Sequence, residues 1–312
     1  MSKRVILMGT PDFAAHIFER FINEAGYEVI SVITQPDKPV GRKREIKPTP
    51  VKAVAMQHGI PVLQPEKVRD IADEIAALQP DLIITAAYGQ LVPQTILDIP
   101  AFGCINVHAS LLPKYRGGAP IHWSIINGEA ETGITIMYME KRLDAGDMLS
   151  VIKTPINDDD TLGSLYERLT ELGGDLLLAT VPKLFAGELV AEKQDDSAMT
   201  LAPNIQSEHQ RLDWHAGARA CFNRIRGLNP APGAFTTLHN KRMKLWASQL
   251  TGEATAEAAG SIVGTDSNGI LVACGDRQML CITELQYEGK GRMKALDFYN
   301  GNRDMLEGAH FE

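Results

Sequence analysis

The sequence predicts an α/β protein in two parts: a Rossmann-like, mostly parallel sheet, then a small β-barrel. Three observations predict it. Short apolar runs alternate with helical spacings through residues 1–190, the pattern of a parallel sheet covered on both faces. Regular patterning fades between 191 and 206, a stretch that reads as a linker. From 207 to 312 short β-type runs follow one another closely, separated by glycine-containing turns, as in a small barrel.

The first strand is the apolar run 5–8. Pro11 suits the opening turn of a helix, where its missing N–H would have no partner anyway. Phe13, Ile17, Phe18, Phe21 and Ile22 give that helix an apolar face. A second strand at 29–33 leads into a loop rich in Pro, Lys and Arg, then a helix near 51–57 and a short strand at 60–63. Val68, Ile71, Ile75 and Leu78 recur at helical spacing, while 81–87 and 103–108 read as buried strands. A helix covers about 162–185. Beyond the linker, Trp214 and a short helix at 216–226 precede β runs at 234–238, 243–246, 261–263, 270–273 and 279–285. Gly264, Ser267-Asn268-Gly269 and Gly275-Asp276 supply turns.

A chain of 312 residues has room for one large domain or two ordinary ones. With 44% hydrophobic and 22% charged residues it is not a disordered chain. No apolar run approaches the roughly 18 residues of a membrane span, and the run 5–8 is too short for a signal-peptide core. A soluble, cytoplasmic protein is expected, and the lack of an Arg/Ser-rich leader points to a bacterial one. Cys104, Cys221, Cys274 and Cys281 show no Cys-x-x-Cys pair and no zinc-type spacing, so buried free thiols and no metal are expected. The first strand ends in Gly9-Thr10-Pro11-Asp12-Phe13, without the G-x-G-x-x-G turn that holds a dinucleotide pyrophosphate. No Walker A sequence occurs either. The commonest cofactor of the fold is thereby removed, and a redox function with it.

The net charge of −8 hides two basic patches. Between 37 and 52, Lys38, Arg42, Lys43, Arg44, Lys47 and Lys52 stand against Asp37 and Glu45, a balance of +4. Between 211 and 244 seven bases stand against Asp213, a balance of +6, whereas 245–312 carries −5. Either patch alone reads as solvated surface. Together they suggest a polyanion such as RNA, met at chosen places.

The chemistry concentrates between Gly103 and Pro120. Strand alternation puts Cys104, Asn106 and His108 on one face, at the C-terminal end of a predicted parallel strand, where α/β sheets place their ligands. Asp144 follows in a glycine-containing loop after another strand. An amide, an imidazole and a carboxylate can together polarise a carbonyl and handle a proton. Each alone could equally be a satisfied structural polar residue. Cys104 shares the face, but a small buried hydrophobe is a simpler reading than a thioester carrier.

Asn106-x-His108-x-Ser110-Leu111-Leu112-Pro113-x-Tyr115-Arg116-Gly117, Thr132-Gly133-x-Thr135 and Leu143-Asp144-x-Gly146-Asp147 resemble the folate-dependent formyltransferases. Met8-Gly-Thr-Pro-Asp-Phe13, Thr34-Gln-Pro-Asp-Lys-Pro-Val-Gly-Arg42, Pro48-x-Pro50-Val51-Lys52 and Arg226-Gly-Leu-Asn-Pro230 narrow the resemblance to members that act on methionyl-tRNA. It covers nearly the whole chain. Glycinamide ribonucleotide formyltransferases share the Asn-His-Asp core but lack a second domain of this kind.

The resemblance implies a formyltransferase catalytic domain over 1–190 and an OB-like β-barrel that binds tRNA over 207–312. It implies transfer of the formyl group of 10-formyltetrahydrofolate, as co-substrate, to the α-amino group of methionine on initiator tRNA, by a monomer that uses no metal and no membrane. Asn106, His108 and Asp144 would be catalytic. The neutral amine attacks the formyl carbon, Asn106 and His108 donate to the formyl oxygen, and Asp144 pairs with His108. Ser110, Leu111, Leu112 and Pro113 would lie against the folate, with Tyr88, Gly89 and Leu91 walling the pterin pocket. Arg42, Lys43, Arg44 and Lys47 would sit on a mobile 36–47 clamp entering the acceptor stem, while Arg211 and Arg224 meet tRNA from the barrel. Members often carry a lysine ahead of an Ile-Asp-Trp motif. This chain has none between Pro203 and Trp214, and Arg211 is the candidate substitute. The rivals are a formyltransferase for another amine and an RNA binder with a dead catalytic half. The basic loop and barrel argue against the first, the intact trio against the second.

Overall fold

The computed structural model describes residues 2–40 and 45–312. The chain divides into two compact units. Met1–Pro120, Thr132–Thr154 and Tyr166–Pro203 form the first, and Ile121–Glu131, Pro155–Leu165 and Asn204–Glu312 the second.

Strands β1 (Arg4–Gly9), β2 (Glu28–Ile33), β3 (Lys38–Val40), β4 (Glu45–Lys47), β5 (Val62–Leu63), β6 (Leu82–Ala86), β7 (Cys104–His108), β8 (Glu131–Tyr138) and β9 (Met148–Pro155) come in chain order. All but β3 and β4 build one sheet in the order β5-β2-β1-β6-β7-β8-β9. From β5 to β7 the pairings are parallel, and β8 turns antiparallel to β7. Central strands of such a sheet are covered on both faces, which is why β6 is buried at every position and reads as an apolar run broken only by Thr85. β3 and β4 pair antiparallel as a separate ribbon within the stretch read as a clamp.

Helix α1 (Asp12–Glu24) buries Phe13, Ile17, Phe18 and Phe21, the face its spacing predicts. Helix α2 (Pro50–Gln57) starts where Thr49 accepts the Lys52 N–H at 3.2 Å, with Pro50 in the first turn. The helical spacing at 68–78 resolves into a 3₁₀ turn, Val68–Ile71, followed by α3 (Ala72–Ala77). Helices α4 (Gln94–Leu97), α5 (Pro120–Ile126) and α6 (Leu162–Ala186) complete this part of the chain. One core cluster of the unit gathers Ile6, Met8, Ile33, Ile83, Ile96 and Cys104.

The stretch 192–202 is irregular yet closely bonded within the first unit. Met148 and Glu192 exchange backbone hydrogen bonds of 2.8 Å, the Arg116 N–H donates to the Thr200 carbonyl at 2.9 Å, and the Ala202 N–H donates to Arg116 at 2.7 Å. Irregular backbone held by specific bonds has no periodicity to read, so this part of the expected linker carries no pattern in the sequence.

In the second unit α7 (Ser207–Gln210) and α8 (Ala218–Gly227) precede β10 (Ala234–Leu238), β11 (Lys241–Ala254), β12 (Ile262–Thr265), β13 (Ile270–Ala273), β14 (Gln278–Tyr287) and β15 (Met293–Lys294). These strands form an antiparallel sheet in the order β10-β11-β14-β13-β12, with β15 on β14. Three register shifts in β11 bend it, as bulges do. Short α9 (Ala295–Gly301) and α10 (Arg303–Leu306) follow. The core packs Trp214, Phe222, Ile225, Leu245, Phe298 and Phe311, with Trp214 stacked on Phe311 at 5.6 Å between ring centroids. Ile126 joins this core, which explains why 121–131 belongs to this unit.

Candidate active site

The C-terminal end of β7 carries the first two candidate residues. Its register pairs Asn106 with Thr85 of β6 and His108 with Thr135 of β8. The Thr85 hydroxyl donates to Asn106 Oδ1 at 2.7 Å. That bond sorts the two ends of the amide and leaves Nδ2 to donate elsewhere. His108 is buried, and its Nε2 lies 3.0 Å from the Tyr115 carbonyl oxygen. A carbonyl only accepts, so Nε2 carries a proton. The other ring nitrogen, Nδ1, faces Asp144 Oδ2 at 3.7 Å. This is an ion-pair distance, wider than a direct hydrogen bond, of the kind that tightens once substrate is bound.

Asp144 lies in the loop between β8 and β9 in a left-handed conformation, φ +48°. Its Oδ2 accepts the Gly117 N–H at 2.8 Å. Gly117 has no room for a side chain, because a Cβ there would stand 2.6 Å from the Ala202 carbonyl oxygen. The backbone of the loop is held by Gln194, whose Nε2 donates to the Asp144 carbonyl at 2.9 Å and to the Gly146 carbonyl at 2.7 Å. Gln194 Oε1 in turn accepts from Arg116 Nε at 3.0 Å and Nη2 at 2.7 Å.

The candidate folate residues follow β7 and β6. Ser110 is fully buried and donates to the Lys114 carbonyl at 2.7 Å, closing its own turn. Thr135 Oγ1 donates to the Ser110 carbonyl at 2.7 Å and accepts the Leu112 N–H at 3.2 Å, which fixes the turn to β8. Leu112 is buried, while Leu111 and Pro113 keep partial exposure. Tyr88 is buried in the core, and burial pushes its hydroxyl up to about 12. Gly89 takes φ +87°, and Leu91 stands 75% exposed. Cys104 is buried with its thiol pushed up to about 12, first by burial and then by Asp98, so it is protonated and a poor nucleophile at neutral pH. No group of three or more His, Cys, Asp or Glu side chains among the described residues is arranged to hold a metal ion.

With this geometry go clear likenesses. The formyl transferase family matches residues 3–181, and the formyl transferase C-terminal domain matches 204–303. The methionyl-tRNA formyltransferase of Bacillus subtilis (strain 168) is 51% identical over 300 residues, 96% of this chain and 94% of that one. That of Halalkalibacterium halodurans is 52% identical over 305 residues, 97% and 96% of the two chains. The chain belongs to the methionyl-tRNA formyltransferase family. Among solved structures, the N-formyltransferase from Helicobacter canadensis in complex with folinic acid and dTDP-3-aminofucose is similar with a TM-score of 0.69 at 18% identity, over 92% of this chain and 100% of that one. HypX from Aquifex aeolicus in complex with tetrahydrofolic acid is similar with a TM-score of 0.61 at 16% identity, over 96% of this chain, which spans 47% of HypX. At such identities the likeness is one of fold.

For a member of the methionyl-tRNA formyltransferase family, the candidate tRNA residues fall in both units. Lys47 is exposed at the end of β4, opposite Lys38, whereas Arg42, Lys43 and Arg44 lie outside the described residues. In the second unit Arg211 is exposed and bridges to Phe235, and Arg224 is half-buried with Nη1 donating to the His209 carbonyl at 2.7 Å. Two further bases of the same stretch have partners within the unit, one buried and one on the surface. Arg226 is buried and donates to Asn223 Oδ1 and to the Asn157 and Asp160 carbonyls. Arg219 pairs with Asp158 at 2.5 Å. The outward faces of β10 and β11 instead show Arg242 stacked 3.5 Å above the Phe235 ring, and Trp246 flanked by Lys244 at 5.1 Å and Arg292 at 5.3 Å.

Sequence reasoning missed Thr85, Arg116 and Gln194 as parts of the site. Thr85 left a signal, a single hydroxyl in an otherwise apolar buried run, and Arg116 stood inside a quoted motif. Gln194 left none.

Proposed function

We propose that this chain transfers the formyl group of 10-formyltetrahydrofolate to the amino group of methionyl-initiator-tRNA, giving N-formylmethionyl-tRNA for translation initiation. The observation that carries the reading is the facing of His108 Nδ1 and Asp144 Oδ2 at 3.7 Å, two residues along the strand from an amide with a free donor end. Bound folate supplies an activated formyl carbon. The residues present suit such a donor: Asn106 Nδ2 has a hydrogen bond to give, and Leu111, Pro113, Gly89 and Leu91 offer partly exposed apolar and backbone surface for a ring system.

In this reading Asn106 donates to the formyl oxygen, where negative charge develops. An oxyanion donor of this type is worth about 2.7–4 kcal/mol of barrier. His108 keeps its Nε2 proton on the Tyr115 carbonyl and turns Nδ1 to Asp144, so the sequence expectation that it also donates to the formyl oxygen gives way to a role in holding Asp144. Asp144 Oδ2 accepts the Gly117 N–H, which leaves Oδ1 to receive the amine's proton, directly or through water. Collapse of the tetrahedral adduct would break the formyl carbon's bond to the folate nitrogen, and that proton would pass to the nitrogen as it leaves. The amine needs no covalent helper, since an α-amino group titrates near neutrality, at about 7.7, and is substantially neutral when bound. Arg42, Lys43, Arg44 and Lys47 serve tRNA from the first unit, Arg211 and Arg224 from the second, with residues 207–312 as the tRNA-binding domain. A single copy carries the whole trio, so a monomer suffices, and the cytoplasm is where initiator tRNA is used.

Single-turnover formylation with 10-formyltetrahydrofolate tests this, offering initiator Met-tRNA, elongator Met-tRNA and glycinamide ribonucleotide in parallel. Transfer is expected to initiator Met-tRNA alone. Transfer to glycinamide ribonucleotide alone would discard the tRNA role, and tRNA binding without any transfer would leave an RNA-binding protein.

A further inference from the structure

We propose that Gln194 is a positioning residue for the reaction: it sets the backbone of Asp144, and Arg116 holds the Gln194 amide in the orientation that allows this. The inference rests on the catalytic reading of Asp144 above.

Four hydrogen bonds to carbonyl and guanidinium groups hold the Gln194 amide, with Met137 Sδ a further contact of Nε2 at 3.8 Å. Its nitrogen catches two carbonyls of one turn, Asp144 at 2.9 Å and Gly146 at 2.7 Å, and its oxygen takes both donors of the Arg116 fork. Only an amide can accept from a guanidinium while donating to carbonyls: a glutamate of the same shape could do the first and not the second. Gln194 and Arg116 are each 5% exposed, so these bonds face little competition from water.

The contacts close into a ring that begins and ends at Asp144. Arg116 Nη2 also donates to Asp196 Oδ1 at 2.8 Å, and the other Asp196 oxygen accepts Arg142 Nη1 at 2.8 Å. Arg142 lies two residues before Asp144 in the chain. Its contact with Asp196, and then that of Arg116, holds the Asp196 carboxyl below the usual carboxylate range, so the ring is charged at neutral pH. The side chain of Asp144 is seated from the same direction, by the N–H of Gly117, the neighbour of Arg116. Backbone and carboxylate of Asp144 are therefore both referred to one short segment. A left-handed aspartate is a conformation that surrounding structure must impose. The ring supplies this together with the Tyr138 N–H bond to the Asp147 carbonyl at 2.9 Å, which closes the same loop, and it holds Asp144 at its 3.7 Å approach to His108.

The competing account is an anchor: a buried Arg–Gln pair that merely fastens 192–202 to the first unit. The full-length chain distinguishes the two. Gln194→Glu and Gln194→Asn are each made alone and with Asp144→Asn, and single-turnover rates are measured at saturating folate and Met-tRNA across neutral pH. A positioning role is expected to lower the rate roughly 10- to 100-fold, the scale of a misplaced catalytic group. KM for both substrates stays close to the parent's and the pH–rate profile changes shape, while the unfolding temperature falls by several degrees because buried partners lose their bonds. In the Asp144→Asn background the same substitutions should cost less than about twofold more, because residues acting as a unit are not additive. Equal losses in both backgrounds, a full rate in a folded Gln194 variant, or failure of both Gln194 variants to fold would each overturn the proposal in favour of an anchor. Asp144→Asn at the parent's rate would instead sink the catalytic reading of Asp144, and this proposal with it.

Discussion

An amide oriented by one hydroxyl is the smallest decision in this site. Thr85 lies nearest Asn106 Oδ1, at 2.7 Å, ahead of the Ile105 carbonyl at 3.1 Å, and so turns the amide's nitrogen end toward the oxygen it would meet in the proposed reaction. Thr85→Val keeps the shape and removes the bond. The expected result is about a tenfold fall in kcat, less than the 10²–10³-fold typical of deleting an oxyanion donor, because the amide survives without its orientation. KM for tRNA should not move, and chemical denaturation should report about 1–3 kcal/mol of lost stability, since a buried acceptor loses its partner. A folded variant at the parent's rate would mean that another group orients the amide. Asn106 and His108 were legible as residues because they interrupt an apolar strand at i, i+2. Their relation to Thr85 was not, because it is a property of the β6–β7 register, which no local pattern specifies. Gln194 was hidden more deeply, as a polar residue in an irregular stretch whose partners lie 48 to 78 positions away.

Among the elements, β8 does the most for the site, by holding the 110–113 turn through Thr135 and leading into the Asp144 loop. It can lie so close to its neighbours because Gly133 has no side chain. A Cβ there would run into the Ile152 carbonyl of β9 and stand 2.7 Å from Leu111 Cδ2. Gly133→Ala is therefore expected to cost about 1–3 kcal/mol, as overpacking does. It should also raise the KM for folate several-fold, by pushing on the turn. Thermal melts and steady-state kinetics check the two parts separately, and lost stability with an unchanged KM would divorce the turn from folate. The parallel strands were readable because burial on both faces leaves a mostly apolar run. The antiparallel direction of β8 was not, since a buried strand has the same composition either way round. Nor did the sequence reveal that 121–131 and 155–165 belong to the second unit, an outcome of packing between residues far apart in the chain.

For the molecule as a whole, the question is how a chain of net charge −8 attracts a polyanion. Its average field repels tRNA, so affinity must come from local cations, and the structure divides those of 211–244 into two kinds. Arg219 and Arg226 are tied to Asp158, Asn157, Asp160 and Asn223, whereas Arg211, Lys241 and Arg242 are exposed. Counting charges along the sequence makes these equivalent, but Arg226 is buried and the exposed Arg219 already faces a carboxylate. Arg242 is stacked 3.5 Å above Phe235, which limits its freedom before any RNA arrives and lowers the cost of ordering it on binding. If tRNA meets this face through phosphates, log affinity should fall linearly with log salt, by about 0.7–0.9 per contact. Arg242→Ala should weaken tRNA binding, reduce that slope by about one, and leave the folate KM unchanged. Arg219→Ala should leave the slope alone, because its cation already faces Asp158. Binding measured at several KCl concentrations separates the two. Equal slopes for Arg242→Ala and the parent would make the stacked arginine an ordinary solvated cation and move the tRNA contact to another face of the domain.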